Sequence, residues 1–291
     1  MPAQPAATGA PILLEDGTLS AVVTAPARVE SGALTLSLLL PARPETERGV
    51  ERVAGRFLLA RCGAQSPEER ATQWSIYLRR PLFAASRPRQ LPGEPYALWR
   101  LATPWQDDPG LAWLAARREG ESVNLAGPYG SGFPLLPLTR RLLLIADAPH
   151  LGMILPLMDE VLDRGGQVSL LLLDGRPAPA NVDALRGELP LAVEFHRLKA
   201  EAWQHEIDAG LRWGDQVCTT IAAAHLPAVA DAVRRTRVRF DAGFAFSFVD
   251  ADLACGYGAC LACVVPLANG NLTRACLHGP VFDLLELMGR G

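Results

Sequence analysis

Four cysteines, Cys255, Cys260, Cys263 and Cys276, stand at C-x4-C-x2-C-x12-C spacing within the stretch ACGYGACLACVVPLANGNLTRAC. Thiolates that share one inorganic centre must converge, so the chain has to double back to bring Cys276 beside the other three. The first three have the spacing of plant-type [2Fe–2S] ligation, with the fourth arriving from a separate strand. Four thiolates suit two irons, because each iron takes two protein sulfurs beside its two bridging sulfides. Gly256 and Gly258 allow the backbone to wrap tightly and aim N–H groups at sulfur. Asn269–Gly270 is a strong two-residue turn signal, and it predicts a hairpin that returns Cys276 to Cys263.

Other uses of cysteine have to be set beside this one. Zinc also takes four thiolates, but its ribbons and knuckles usually present two C-x2-C pairs, and here only Cys260 and Cys263 form one. A disulfide framework belongs to oxidising compartments, and nothing in the sequence marks the chain as secreted. Cys62 and Cys218 lie outside the pattern and read as small buried apolar residues.

A chain of 291 residues can form more than one domain and bury a substantial core. Its 49% hydrophobic and 20% charged residues are an ordinary globular balance. With a formal net charge of −3 there is no global basic field for nucleic acid, and Arg234, Arg235, Arg237 and Arg239 are too few for a phosphate-binding face. The opening MPAQPAATGAP lacks a basic n-region with an apolar stretch, and LLLIADAPHLGMILPLM is interrupted by Asp147, His150 and two prolines. A soluble cytoplasmic protein without a membrane segment is expected.

Three regions are predicted. Over residues 11–137, LSAVVTAPARV, ALTLSLLLP, GRFLLARCG and TQWSIYLRRPL read as short strands of an antiparallel barrel or sandwich. PARPETERGVERV and ASRPRQLPGEPYA read as loops between them. Over 138–240, LLLIA and VSLLLLD are apolar runs suited to strands buried on both faces, with a helical LGMILPLMDEVLDRGG between them. AVEFHRL and DQVCTTIA continue the strands, and AEAWQHEIDAGLR and HLPAVADAVRRTR the helices. This alternation predicts a Rossmann-like parallel α/β domain. Residues 241–291 form the cluster module.

A barrel, a Rossmann-like domain and a C-terminal [2Fe–2S] ferredoxin-like module resemble the ferredoxin–NADP reductase superfamily. LACGYGACLACVV followed by RACLHGPVF is similar to the cluster segment of the electron-transfer subunit of class 1B dihydroorotate dehydrogenase, through the Gly279–Pro280–Val281–Phe282 tail. GPYGSGF at 127–133 resembles the glycine-rich stretch ending that family's flavin domain, and LRRPL at 78–82 its flavin-binding arginine–proline motif. The resemblance implies FAD at the barrel, with Arg80 approaching the flavin and Pro81 and Leu82 presenting backbone to its ring. Gly127, Gly130 and Gly132 either contact that cofactor or form a tight interdomain loop. It further implies a hetero-oligomer in which the [2Fe–2S] cluster on Cys255, Cys260, Cys263 and Cys276 relays electrons between FAD and the FMN of a catalytic dehydrogenase subunit in pyrimidine biosynthesis. Flavin converts two-electron to one-electron chemistry, and the cluster carries single electrons.

The sequence also departs from the family. Phe83 stands where a small residue, often serine, meets the flavin, and Asp107 and Asp108 occupy the usual Gly-Thr phosphate turn, where they would repel pyrophosphate. After the first strand of the second domain, IADAPHLG keeps only Gly152 of a glycine run, and Cys218-Thr219-Thr220 replaces a Cys-Gly-Pro turn. These changes argue against NAD(P) use. The five histidines are dispersed without a nucleophile or metal partner, so no catalytic residue for organic chemistry is expected; the chain reads as a subunit rather than a complete oxidoreductase. Three possibilities stand. The first is an FAD and [2Fe–2S] electron-transfer subunit. The second is a divergent relay or structural subunit that keeps the cluster but has lost NAD, with or without FAD. The third is a zinc-holding binding protein.

Overall fold

The structure is a computed structural model and describes residues 9–42, 53–64, 66–173, 185–187, 189–199 and 203–290. Most of the expected surface loop at 41–53 lies outside those residues. The strands of the first sheet are β1 (Ile12–Leu13), β2 (Leu19–Glu30), β3 (Ala33–Pro41), β4 (Phe57–Ala60), β5 (Arg80–Ala84), β6 (Arg89–Gln90), β7 (Tyr96–Pro104) and β8 (Ser122–Tyr129). Six of them run β2-β3-β7-β5-β4-β8, and β8 pairs back onto β2, closing an antiparallel barrel; β1 and β6 add short edges. The alternation in ALTLSLLLP carries this, since Leu34, Leu36, Leu38 and Leu40 all point inward onto Leu58, Leu82, Leu101 and Leu125.

One segment departs from its expected strand. TQWSIYLRRPL begins with a 3-10 turn at Trp74–Ile76, and pairing starts only at Arg80, opposite Ala60. Ile76 instead tucks against the turn at Gly63, and the Gln73 side chain accepts from the Ala64 N–H at 3.0 Å. These local contacts hold the start of the segment away from the sheet.

The second sheet takes β9 (Arg141–Asp147), β10 (Gln167–Leu173), β11 (Val193–Leu198), β12 (Gln216–Thr220) and β13 (Ala245–Phe248). The cluster segment adds the two-stranded β14 (Val264–Pro266) and β15 (Leu272–Arg274), and the chain then returns as β16 (Val281–Asp283). The strand order is β11-β10-β9-β12-β13-β16, parallel except for the last pair. The sheet therefore draws its last two strands from beyond residue 240, and the cluster segment is an excursion between them. Leu142, Leu144 and Ala146 face one apolar layer while Leu143 and Ile145 face the other, as their continuous run predicts.

The helices of this second region are Leu155–Asp163, Trp203–Trp213 and Leu226–Thr236, with a short one at Leu284–Met288. The expected single helix after β9 is divided into a 3-10 stretch at Ala148–Ile154 and an α-helix from Leu155. Pro149 and Pro156 each lack the N–H that an uninterrupted helix would use. No helix among the described residues is long and apolar enough to cross a membrane.

The three regions share one core. A single apolar cluster takes in Phe57, Leu59 and Phe83 from the barrel, Leu144 and Phe248 from the second sheet, and Cys263, Val265 and Cys276 from the cluster segment. Gln216, fully buried at the start of β12, ties the connecting segment to this sheet. Its side-chain oxygen accepts from the Leu136 N–H at 3.0 Å and the Thr139 hydroxyl at 2.6 Å, and its amide donates to the Pro134 carbonyl. Replacing Gln216 by Leu strands these partners, and we expect a loss of about 2 kcal/mol in denaturant unfolding.

Candidate metal centre

The hairpin forms as its sequence predicts. Val264 pairs with Arg274 and Pro266 with Leu272, Gly270 takes φ 84°, and the Asn269 side chain accepts from the Asn271 N–H. The Ala275 N–H then donates to the Cys263 carbonyl at 2.9 Å, and the Cys276 N–H lies 3.5 Å from the Cys263 sulfur. On the other side of the site, the sulfurs of Cys255 and Cys260 lie 3.4 Å apart. The four cysteines thus come together as two pairs, 255 with 260 and 263 with 276. Among the described residues no three His, Cys, Asp or Glu side chains are gathered for a single metal ion. Two irons take two protein sulfurs each, and the two cysteine pairs suit that division.

Burial and hydrogen bonding divide the thiols. Cys263 and Cys276 are buried, Cys255 is half-buried and Cys260 is exposed. Partial burial opposes ionisation of Cys255, but N–H groups of Cys260, Tyr257 and Ala259 and the Cys260 thiol together draw its pKa down to about 6. Burial, then the neighbouring Cys263, pushes Cys276 up to about 12, against a hydrogen bond from the Gly258 N–H. Loop amides are therefore already turned toward sulfur. Gly256 (φ 83°) and Gly258 (φ 77°) make this possible, and a Cβ at either would lie 2.7 Å from the Tyr129 ring or 2.5 Å from Leu277. The same segment exposes Tyr257, Leu261, Val264, Leu272 and Leu277. His278 contacts the Thr273 hydroxyl at 3.0 Å in an exposed setting. Cys62 and Cys218 are buried, and burial pushes both thiols up, Cys62 to about 12.

The residues expected at a flavin lie on β5 and the loop after β8. Leu82 points into the barrel core, with Arg80 and Pro81 half-buried before it. One edge of the Arg80 guanidinium donates to both oxygens of Asp108, Nε at 2.7 Å and Nη2 at 2.8 Å, and Arg80 also donates to the Leu78 carbonyl. Asp108 simultaneously caps the helix Pro109–Ala115, accepting from the Leu111 N–H at 2.8 Å. Arg80 holds the Asp108 carboxyl below its ordinary value. This pairing was missed in the sequence, although Asp followed by Pro is a helix-start signal. Phe83 is buried edge-on to Phe248 (centroids 5.2 Å) and tilted against Phe57 (5.9 Å), and Phe57 meets Tyr129 at 5.8 Å. A row of rings thus runs from β13 through the barrel to the Gly256 loop. The glycine stretch packs on the cluster segment: a Cβ at Gly130 would lie 2.6 Å from the Gly279 carbonyl oxygen, and Ser131 bonds that same carbonyl. Gly127 (φ 120°) lies under Tyr129 and against the Phe57 carbonyl, and Gly132 is half-buried beside it in the chain.

His150 is also better partnered than the sequence suggested. Its Nδ1 lies 2.5 Å from Asp147 and its Nε2 3.9 Å from Asp250, with the side chain 12% exposed. The signal was there, because Asp147 at a strand end, three residues before His150, is a helix-capping spacing. Burial works against the charged ring, but the two carboxylates prevail and raise its pKa from 6.5 to about 9. The stabilisation is fully present below the unfolded value and disappears as pH rises through about 9, and it is on the order of 3 kcal/mol. Wild type should therefore lose stability relative to His150→Asn between neutral pH and pH 9, read as the difference between their melting temperatures across pH.

Residues 250–288 match the family described as the iron–sulfur cluster binding domain of dihydroorotate dehydrogenase B. The chain is 25% identical over 208 residues to the electron transfer subunit of dihydroorotate dehydrogenase B (NAD(+)) of Geobacillus kaustophilus, covering 63% of this chain and 72% of that one. With the subunit of the same name from Desulforamulus reducens it shares 24% over 261 residues, 81% of this chain and 87% of the other. Among solved structures, that of an NADH-dependent reduced ferredoxin–NADP oxidoreductase superposes with TM-score 0.66 at 16% identity, over 92% of this chain and 89% of that one. An intact type IV self-sufficient cytochrome P450 monooxygenase matches at TM-score 0.55 and 15% identity, over 89% of this chain and 39% of the other. The resemblance read in the sequence is borne out: a ferredoxin–NADP reductase-like fold carries a segment that matches the iron–sulfur cluster binding domain of dihydroorotate dehydrogenase B, and 63% and 81% of the chain align with those two electron transfer subunits of that enzyme.

Proposed function

We propose that this chain is an electron-transfer subunit that carries a [2Fe–2S] cluster on Cys255, Cys260, Cys263 and Cys276. It passes electrons singly between an FAD on its barrel and a partner flavoenzyme, a dihydroorotate dehydrogenase catalytic subunit bearing FMN. The carrying observation is the arrangement of the cysteines in two pairs within a segment that matches an iron–sulfur cluster binding domain. When bound, the cluster supplies one-electron capacity. The chain's own residues hold and orient it. The buried pair Cys263 and Cys276 anchors it to the core, the loop amides offset thiolate charge, and Cys260 is exposed in a segment that also exposes Tyr257, Leu261 and Leu277 toward a partner. On the barrel, Arg80, Pro81 and Leu82 are the residues assigned to the flavin side, whereas the packing of Gly127 and Gly130 favours the interdomain-loop role for the stretch that ends at Gly132.

A second reading is a relay that has lost NAD, with or without FAD. One observation favours it: the cationic head of Arg80 is already occupied by Asp108. Flavin content separates the two readings. Protein purified without oxygen should contain two irons, two acid-labile sulfides and, on the first reading, one flavin per chain. Cys263→Ser or Cys276→Ser should abolish or severely deplete iron and sulfide and change the EPR spectrum of the reduced protein. Full occupancy with an unchanged spectrum in either variant would remove the four-cysteine assignment. Asp108→Asn, which frees Arg80, should raise FAD affinity in flavin-fluorescence titration; no change would mean that Arg80 does not meet the flavin.

A further inference from the structure

The second sheet has a topological switch point. From β9 the chain goes outward to β10 and β11, then crosses to β12 and β13 on the other side. In open sheets of this kind ligands enter the crevice beyond the carboxyl ends of the strands where the order reverses, and a dinucleotide's phosphates meet backbone N–H groups after the first strand. Here that crevice lies between Asp147, ending β9, and Thr220, ending β12.

Two backbone donors at this crevice are already used, whereas the buried Thr219 and Thr220 hydroxyls and His150 Nε2 have no hydrogen-bond partner among the described residues. One Asp147 oxygen accepts from the His150 N–H at 3.2 Å and faces its Nδ1 at 2.5 Å. The other accepts from the Ala222 N–H at 3.1 Å, joining the two strand ends across the switch point. Pro149, between them in the chain, has no N–H to offer. Close backbone approach is closed as well. A Cβ at Gly152 would lie 2.9 Å from the Cβ of Ala102 and 3.4 Å from that of Ala85, so this glycine serves contact with the barrel. Pro149 in turn seats against Gly32, where a Cβ would lie 3.0 Å from its Cγ. Beyond His150 stands Asp250, a second carboxylate.

We propose that Asp147 is an internal anion in the position a dinucleotide phosphate would take, and that the second domain of this chain binds no NAD(P). The crevice serves a different purpose: Asp147 and His150 join the ends of β9 and β12 to Asp250, the first residue of the matched cluster segment. A phosphate brought beside Asp147 would meet a like charge that the paired His150 offsets in part and that Asp250, beyond His150, reinforces. This departs from the relatives whose name includes NAD(+), and it rests on the electron-transfer reading only for its consequence, that reducing equivalents do not arrive from a nicotinamide.

The test uses the full chain loaded with its iron and flavin. NADH and NADPH are titrated by calorimetry, and in parallel the visible spectrum is followed without oxygen, first with NADH and then with dithionite. The expected result is dissociation constants weaker than about 1 mM, the upper end of working affinities for enzyme substrates, with bleaching by dithionite alone. A dissociation constant tighter than that limit for either nucleotide overturns the proposal. A protein that dithionite does not bleach would defeat the electron-transfer reading, while the binding isotherms would still decide the nucleotide question. Asp147→Ser, where circular dichroism shows it folded, should bind inorganic pyrophosphate at least about tenfold more tightly than wild type. A folded variant with no gain would also overturn the internal-anion assignment; should it fail to fold, the wild-type isotherms alone decide.

Discussion

An ionised carboxylate that leaves bulk water needs donors, and meeting that need shapes this molecule at two junctions. Asp147 gathers two backbone N–H groups and an imidazole at the end of β9, and so joins strands that the topology sends in opposite directions. Asp108 gathers the Arg80 fork and a helix N–H at the end of the barrel's long β7. Each junction is thus held by an anion that the chain itself supplies.

Around these junctions the core is continuous. Phe83 and Phe57 of the barrel, Phe248 of the second sheet and Tyr129 at the end of β8 touch in sequence, and Tyr129 reaches the cluster loop through the bare backbone of Gly256. The three regions are therefore packed as one body around the cysteines. The buried pair Cys263 and Cys276 belongs to that shared core, while Cys260 remains at the surface.

The features legible in the sequence are those whose causes are local. Cysteine spacing, the Asn269–Gly270 turn and the apolar runs of β9 and β10 each specify their structure within a few residues. The barrel strands were legible where alternation was strict, as in β3, and misleading in TQWSIYLRRPL, where Ile76 found a partner at Gly63. Non-local pairings were not legible. Arg80 and Asp108 are separated by strands and loops, and His150 needs Asp250 from another region. Aspartates judged only as repulsive to phosphate prove to be ligands of the protein's own groups. The return of β13 and β16 to the second sheet was hidden for the same reason, since four- and three-residue strands carry little pattern of their own.

That return has an evolutionary meaning. The excursion bearing the cysteines leaves the sheet at Phe248 and rejoins it at Val281, and these two residues face each other as neighbours in the ladder. Its endpoints are thus as close as those of a simple hairpin. An insertion with adjoining ends can be lengthened, shortened or exchanged without rethreading the host, because the flanking strands register with each other whatever lies between them. Because Cys263, Val265 and Cys276 fill part of the shared core, such an exchange would also have to refill the space they occupy.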